Sequence, residues 1–455
     1  MTLSFLGFLL MFVLIGVSSV WFSRHTRHDY YLASHSMPPW LVALSAVATN
    51  NSGYMFIGVI GYTYTVGFAA VWLMTGWILG DFVASLLIHQ RLRLAAGASG
   101  EGSYAGVLSH WSGGSGHRHL QIVASLISLL FLLAYAGAQL LAGGKALHVL
   151  FDWPQWGGAV MGAVMVVAYC FAGGIRASIW TDAAQSMVMV VAMGLMLVVA
   201  TAAIGGIDGA MIRLQAIDGF LDISPGDMFL PGLSGVVLFT VGWMFAGFSI
   251  IGQPHIMVRF MTLTESGSMI RVRCWYYGWF IIFYCMATGV GMLSRIYLSD
   301  PGSFDAELAL PTMALELLPP VLVGLVLAGI FAATMSTADS LVLSCSAALT
   351  HDLLPHRIEK TWLIKIATVL MTGLALGWAL FSKQTVFSLV IMSWSGLGSA
   401  FGPLMLVLAF GARPAQRTLI AMALTGFGTA LVWRWLGWHE AVYEGMPGIL
   451  AGLLV

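Results

Sequence analysis

The sequence predicts an all-α polytopic membrane protein of about twelve to thirteen transmembrane helices, two of them broken at mid-membrane. Three observations carry that expectation. Of 455 residues, 59% are hydrophobic and only 8% are charged, with a mean hydropathy of +0.90. Apolar runs long enough to cross a ~30 Å hydrocarbon core recur along the whole chain. Two of those runs are interrupted by residues that an uninterrupted helix does not place at its centre.

The first run, 3–22, has no Lys or Arg ahead of it and Arg24 and Arg27 behind it, the reverse of a secretory signal's charged leading region. It reads as an anchor with its N-terminus outside. Further spans follow at 38–61, 67–89, 120–144, 157–175 and 183–204. After an acidic stretch with Asp208, Asp218, Asp222 and Asp227 they resume at 233–256, 275–297, 318–348, 362–381, 385–409 and 416–436. The last segment, 447–455, is too short to cross, so the chain is expected to end inside a thirteenth span. The organisation expected is a peripheral helix and turn over 1–37, a first five-helix repeat over 38–204 and an external loop over 205–232. A second repeat over 233–409 and C-terminal peripheral helices over 410–455 complete it.

Loop charges support that orientation, because basic residues stay on the cytoplasmic side. Lys145, Arg213, Arg295, Lys383 and Arg434 fall on the side expected to be external, and the other 14 of 19 basic residues fall opposite, Arg259, Arg271, Arg273 and Arg357 among them. Acids lean outward, with Asp300, Asp305, Glu307 and Glu316 in a second external loop. The expected location is a cell inner membrane, with lipid around the chain.

A formal net charge of zero argues against a nucleic-acid partner. Cys170, Cys274, Cys285 and Cys345 lie in or at the edge of apolar spans without metal spacing, and read as packing residues. No GxxxxGK[ST], HExxH or GxSxG segment occurs, so a nucleotide-driven pump and a hydrolase lack their motifs and no enzyme is expected. Work across the membrane must then draw on a gradient.

The first break lies in the second span, where 46–53 reads AVATNNSG. Asn50, Asn51, Ser52 and Gly53 are poor helix formers, and the polar three compete for backbone hydrogen bonds. The second lies in the seventh span, where 248–255 reads FSIIGQPH. Pro254 has no N–H and Gly252 loosens the turn before it. Broken helices about 200 residues apart point to an inverted-repeat transporter with its site between the breaks. The ninth span carries Ser336, Thr337, Asp339 and Ser340 at its middle, in LAGIFAATMSTADSLVLSCSA over 327–347. Hydroxyls and a carboxylate at bilayer depth are a functional site by default. Back-bonding of Ser336 and Thr337 to the carbonyl four residues earlier is the competing account.

Several segments match a known family in order: 43–53 (ALSAVATNNSG), 173–185 (GGIRASIWTDAAQ), 252–261 (GQPHIMVRFM), 329–340 (GIFAATMSTADS), 346–353 (SAALTHDL) and 395–403 (SGLGSAFGP). On these the chain resembles the sodium:solute symporters, and within them the sodium/proline branch. The resemblance implies a LeuT-like core of two inverted five-helix repeats, spans two to six and seven to eleven, and alternating access driven by sodium. It assigns a main sodium site to the carbonyls of Ala48, Asn51 and Ala333 and the side chains of Ser336 and Thr337. Sodium, a hard cation, suits such an oxygen set. It also matches Asp182 to an acid that in some members helps bind a second sodium. Asp182, Ser336, Asp339 and Ser340 would form that second cation or proton site, two close carboxylates either sandwiching a cation or sharing a proton.

Four positions depart from the branch. Asn50 stands where it has an acid, His35 where it has an Arg, and Ala246 and Ile250 where it has a Trp and a Tyr of its substrate site. The solute zone expected between the breaks comprises Asn50, Ser52, Gly53, Tyr54, Tyr135, Phe248, Gln253 and Trp394, with Gly252 and Pro254 as the hinge. With no Lys or Arg expected to converge there, helix N-terminal N–H groups would hold a solute carboxylate, which suits a small zwitterion. The function expected is inward sodium movement coupled to uptake of a small organic solute, an amino acid, with no organic cofactor. The alternative is the solute-sensing membrane domain of a sensor kinase, with little flux and a C-terminal signalling extension.

Overall fold

With no water inside a bilayer, each span must close its backbone hydrogen bonds within itself. The computed structural model describes every residue except 25, 112–115, 225–227, 229, 299–301, 303–304, 355–357 and 382–384, and the side chains of 149–150. Asp227, Asp300, Arg357 and Lys383, used in the loop-charge reading, lie outside the described residues. Among the described residues the regular structure is helical, with one isolated bridge between Met37 and Leu263.

Nine continuous helical stretches among the described residues are long and apolar enough to cross a membrane. Two of these hold two crossings each. Pro39–Ser99 has 61 residues, roughly 90 Å at 1.5 Å per residue, far more than one crossing. It turns at Gly67, whose φ of 77° and ψ of −146° suit only glycine. Gln155–Ala203 turns at Gly174, with φ 59° and ψ −140°. Tyr169 before that turn and Thr181 after it both flank Gly16 of the first span, so the chain has reversed. Gln416–Trp435 adds one more helix of spanning length, in line with the twelve crossings expected. Gly445–Leu453 packs on the two helices before it.

Span nine, Pro320–Ala347, is the centre: every residue from 326 to 343 is buried. Around it pack spans two, four, five and six. Span two breaks at Ser52, with φ 49° and ψ −176°, and then widens into a π-helical turn over Tyr54–Val59, a common device at functional sites. Span seven runs over Gly232–Phe248, tightens over Ser249–Gly252, and restarts with Pro254 at the first position of Pro254–Met261. A proline there forfeits no hydrogen bond. Gly252 is needed for closeness, since a Cβ on it would lie 2.6 Å from Leu397 O.

Backbone contact also joins spans three and seven. A Cβ on Gly80 would meet Met244 O at 1.8 Å, and one on Gly247 would meet Trp77 O at 1.8 Å. Small residues permit that approach in membranes. At the far end of span seven, Met37 N donates to Thr262 O at 3.2 Å, Thr264 N donates to Met37 O at 3.1 Å, and His35 Nδ1 lies 2.6 Å from Met261 O. Of the four cysteines only Cys170 and Cys345 are packed inside; Cys274 and Cys285 are exposed. That corrects the packing assignment for the latter two, which sit on outward positions of span eight.

Candidate ion and solute site

Ser336 and Thr337 are 0% exposed and sit three and four residues after Ala333, so both hydroxyls reach back to the Ala333 carbonyl, at 3.1 and 3.2 Å. Both also reach across to span two. Ser336 Oγ donates to Ala48 O at 3.3 Å and Thr337 Oγ1 to Thr49 O at 2.9 Å. Each hydroxyl has one proton, so the back-bond and the inter-span contact share it. Thr49 Oγ1 returns a bond to Ser336 O at 3.3 Å. The structure thus gathers Ala48, Ala333, Ser336 and Thr337, and adds Thr49, which sequence reasoning missed. Asn51 belongs to the same turn of span two; its amide Nδ2 donates to Val47 O at 2.7 Å and its Oδ1 has no protein partner.

One turn further along span nine, Asp339 and Ser340 face Asp182 of span six with a basic group between them. Arg259 of span seven, counted above with the loop charges, is 0% exposed. Its Nη2 stands 3.4 Å from Asp182 Oδ2 and 3.7 Å from Asp339 Oδ1, 2.5 Å from Ser178 Oγ, and also donates to Ser340 Oγ. Ser45 Oγ donates to Asp182 Oδ2 at 2.6 Å. The cation between these two carboxylates is the chain's own guanidinium. The signal was present: Arg259 lies five residues after Pro254, inside the matched GQPHIMVRFM segment.

Asn50 turns elsewhere. Its Nδ2 donates to Asp81 Oδ2 of span three at 2.9 Å and to Tyr276 OH at 2.5 Å. Asp81 was also missed, although an acid inside an apolar run is itself a signal.

Between the breaks, Gly53 N donates to Gln139 Oε1 of span four at 2.9 Å, and Tyr54 N to Ser52 Oγ at 3.1 Å. The Tyr54 ring lies 5.6 Å from Trp77, and Trp77 lies 5.2 Å from Trp394. Gln253 Nε2 donates to Trp394 O at 2.9 Å, and Trp394 Nε1 to Ala246 O at 2.7 Å. Tyr135 meets His255 edge-on at 5.5 Å. Four buried groups here keep polar atoms without a protein partner: Tyr54 OH, Gln139 Nε2, Gln253 Oε1 and both nitrogens of His255. Phe248 is not with them. It lines an apolar recess with Gly80, Met244, Leu450 and Leu453.

The model of the sodium:solute symporter family matches residues 30–426. The chain belongs to the sodium:solute symporter family. This symporter is 29% identical over 471 residues to the sodium/proline symporter of Escherichia coli, covering 99% of this chain and 91% of that protein. It is 28% identical over 436 residues to the high-affinity proline transporter PutP of Bacillus subtilis, covering 94% and 90%. Among solved structures it resembles a Na+-coupled sialic acid symporter in a substrate-bound outward-open state, with a TM-score of 0.83, 18% identity, and coverage of 100% and 96%. The nucleobase-cation-symport-1 family transporter Mhp1 follows at a TM-score of 0.59 and 15% identity, covering 93% and 92%. These neighbours carry the LeuT fold, and so does this symporter: a sodium-coupled solute transporter rather than an enzyme.

Proposed function

We propose that this symporter takes up a small zwitterionic solute, a proline-like amino acid, with sodium held by the carbonyls of Ala48, Asn51 and Ala333 and the hydroxyls of Ser336 and Thr337. The 2.9 Å approach of Thr337 Oγ1 to Thr49 O is the observation that supports this most. It puts a hydroxyl pair against freed carbonyls of a broken helix, and a hard monovalent cation wants such an oxygen shell. Binding there ties span nine to span two and favours the state that accepts solute; inward release follows when span two moves away and the ion leaves. At ~2.3 kcal/mol per charge per 100 mV, one sodium ion supports substantial accumulation.

The solute lies between the breaks. Its carboxylate meets N–H groups freed at the broken helices, and the unpartnered atoms of Tyr54, Gln139 and Gln253 meet its remaining polar groups. The relatives named for proline support that class. At Asp182 and Asp339 the guanidinium of Arg259 occupies the place of a second cation, so the sodium reading is confined to the first site. The repeats are 38–204 and 233–409, each opening with its broken helix, and the chain sits in a cell inner membrane with its N-terminus outside. With the buried Arg259 set aside, 13 of the other 18 basic residues fall on the cytoplasmic side and support that orientation.

The test is labelled proline uptake into proteoliposomes under an inward sodium or potassium gradient. Uptake with sodium only, lost in the Ser336→Ala/Thr337→Ala variant, is expected. Unchanged sodium dependence in that variant overturns the site, and native protein moving other amino acids but not proline overturns the solute.

A further inference from the structure

Among the described residues, the buried acids Asp29, Glu101, Asp182, Asp339, Asp352 and Glu444 each have an Arg or His within 3.7 Å. Asp81 differs. It is 0% exposed and its partners are neutral: Tyr277 OH donates to Oδ1 at 2.7 Å, while Tyr276 OH and Asn50 Nδ2 donate to Oδ2, each at 2.9 Å. The wall that span seven presents to it is Gly247, whose Cβ would lie 2.9 Å from Asp81 N. A buried carboxylate met only by neutral donors is an uncompensated charge, favourable when a cation comes near. Asn50 links it to the one place where a mobile cation is expected. That residue sits between Thr49 and Asn51 in the broken stretch, is 4% exposed, and keeps its Oδ1 without a partner.

We propose that Asp81 is the counter-charge of the coupling sodium, fixed by Tyr276 and Tyr277 and linked through the Asn50 amide to the ion-binding turn of span two. It is a positioning residue: it holds Asn50 and supplies charge without touching the ion. The proposal rests on the sodium reading above and names the source of the site's negative charge, which the carbonyls and hydroxyls lack.

The experiment measures half-saturating sodium, maximal rate and solute affinity at saturating sodium for the full chain in proteoliposomes. Asp81→Asn is expected to raise half-saturating sodium about tenfold or more, with solute affinity at saturating sodium within about threefold of native. The double variant Asn50→Asp/Asp81→Asn moves the carboxylate to the other end of the same hydrogen bond and is expected to restore most of the loss. A purely structural role would not give that rescue. Unchanged half-saturating sodium in Asp81→Asn overturns the proposal, as does a folded double variant as weak as the single one. Should Asp81→Asn not yield folded protein, Asn50→Ala keeps the charge and cuts its link; a rise supports the proposal and an unchanged value overturns it. Ser336→Ala/Thr337→Ala, run in parallel, separates the two readings: intact sodium dependence there refutes the ion site itself, whatever Asp81 does.

Discussion

The guanidinium of Arg259 stands 3.4 Å from the carboxylate of Asp182, both fully buried. With Asp339 at 3.7 Å, one positive charge joins spans six, seven and nine. Removing one member of a buried ion pair leaves an unmatched charge and costs about 3–5 kcal/mol. Arg259→Gln is therefore expected to lower thermal stability sharply. Arg259→Lys is expected to recover only part, because an ammonium cannot serve several oxygens with a planar fork. Melting of the purified protein checks both, and a native-like melting curve for Arg259→Gln refutes the argument.

The hydroxyl of Thr337 makes the shorter of the two contacts to span two, at 2.9 Å against 3.3 Å for Ser336. Thr337→Val keeps the shape and removes the oxygen. A lost hydrogen bond of about 1–1.5 kcal/mol predicts roughly a tenfold rise in half-saturating sodium, with Ser336→Ala giving less. Initial uptake rates against sodium concentration measure this; equal curves for native and Thr337→Val would contradict it.

Gly80→Ala sets a methyl 1.8 Å from Met244 O, so spans three and seven must separate. Overpacking costs about 1–3 kcal/mol. Reduced thermal stability is expected, while Gly278→Ala, whose Cβ meets nothing within 4 Å, should leave it unchanged.

Outside the spans, Asp29 sits in the helix Arg27–Leu32. Burial pushes its carboxyl up, but hydrogen bonds from Arg176, the Arg24 N–H and Ser34 more than offset that and hold it below the usual carboxylate range. The stabilisation is present at neutral pH and is lost as pH falls through the lowered folded-state value. Asp29→Asn should remove it at neutral pH and flatten the acid limb of a stability profile. Identical acid limbs for the two proteins would count against the pair.

The crossings and both breaks were legible because their signals are local: apolar length, and runs such as NNSG and GQP that no helix centre favours. Ser336 and Thr337 stood out for a related reason, as hydroxyls clustered with Asp339 and Ser340 in the middle of an apolar run. Arg259 and Asp81 each carried a signal, an ionisable residue in or beside an apolar run, but their roles were not legible, because those come from partners on other spans, and no period along one helix encodes which neighbour a side chain will meet. Phe248 shows the converse. Its place beside the second break suggested the solute zone, yet a helix turns about 100° per residue, and its ring points to the recess with Leu450 and Leu453.

Where Gly80 and Gly247 bring two main chains together, no side chain is left to slide or re-pack. In the proposed cycle spans three and seven are then expected to travel as a single plank, with Gly252 as the proposed hinge that carries span three along with the upstream half of span seven. In that proposal the motion falls where span two meets span nine, through hydroxyls that can let go.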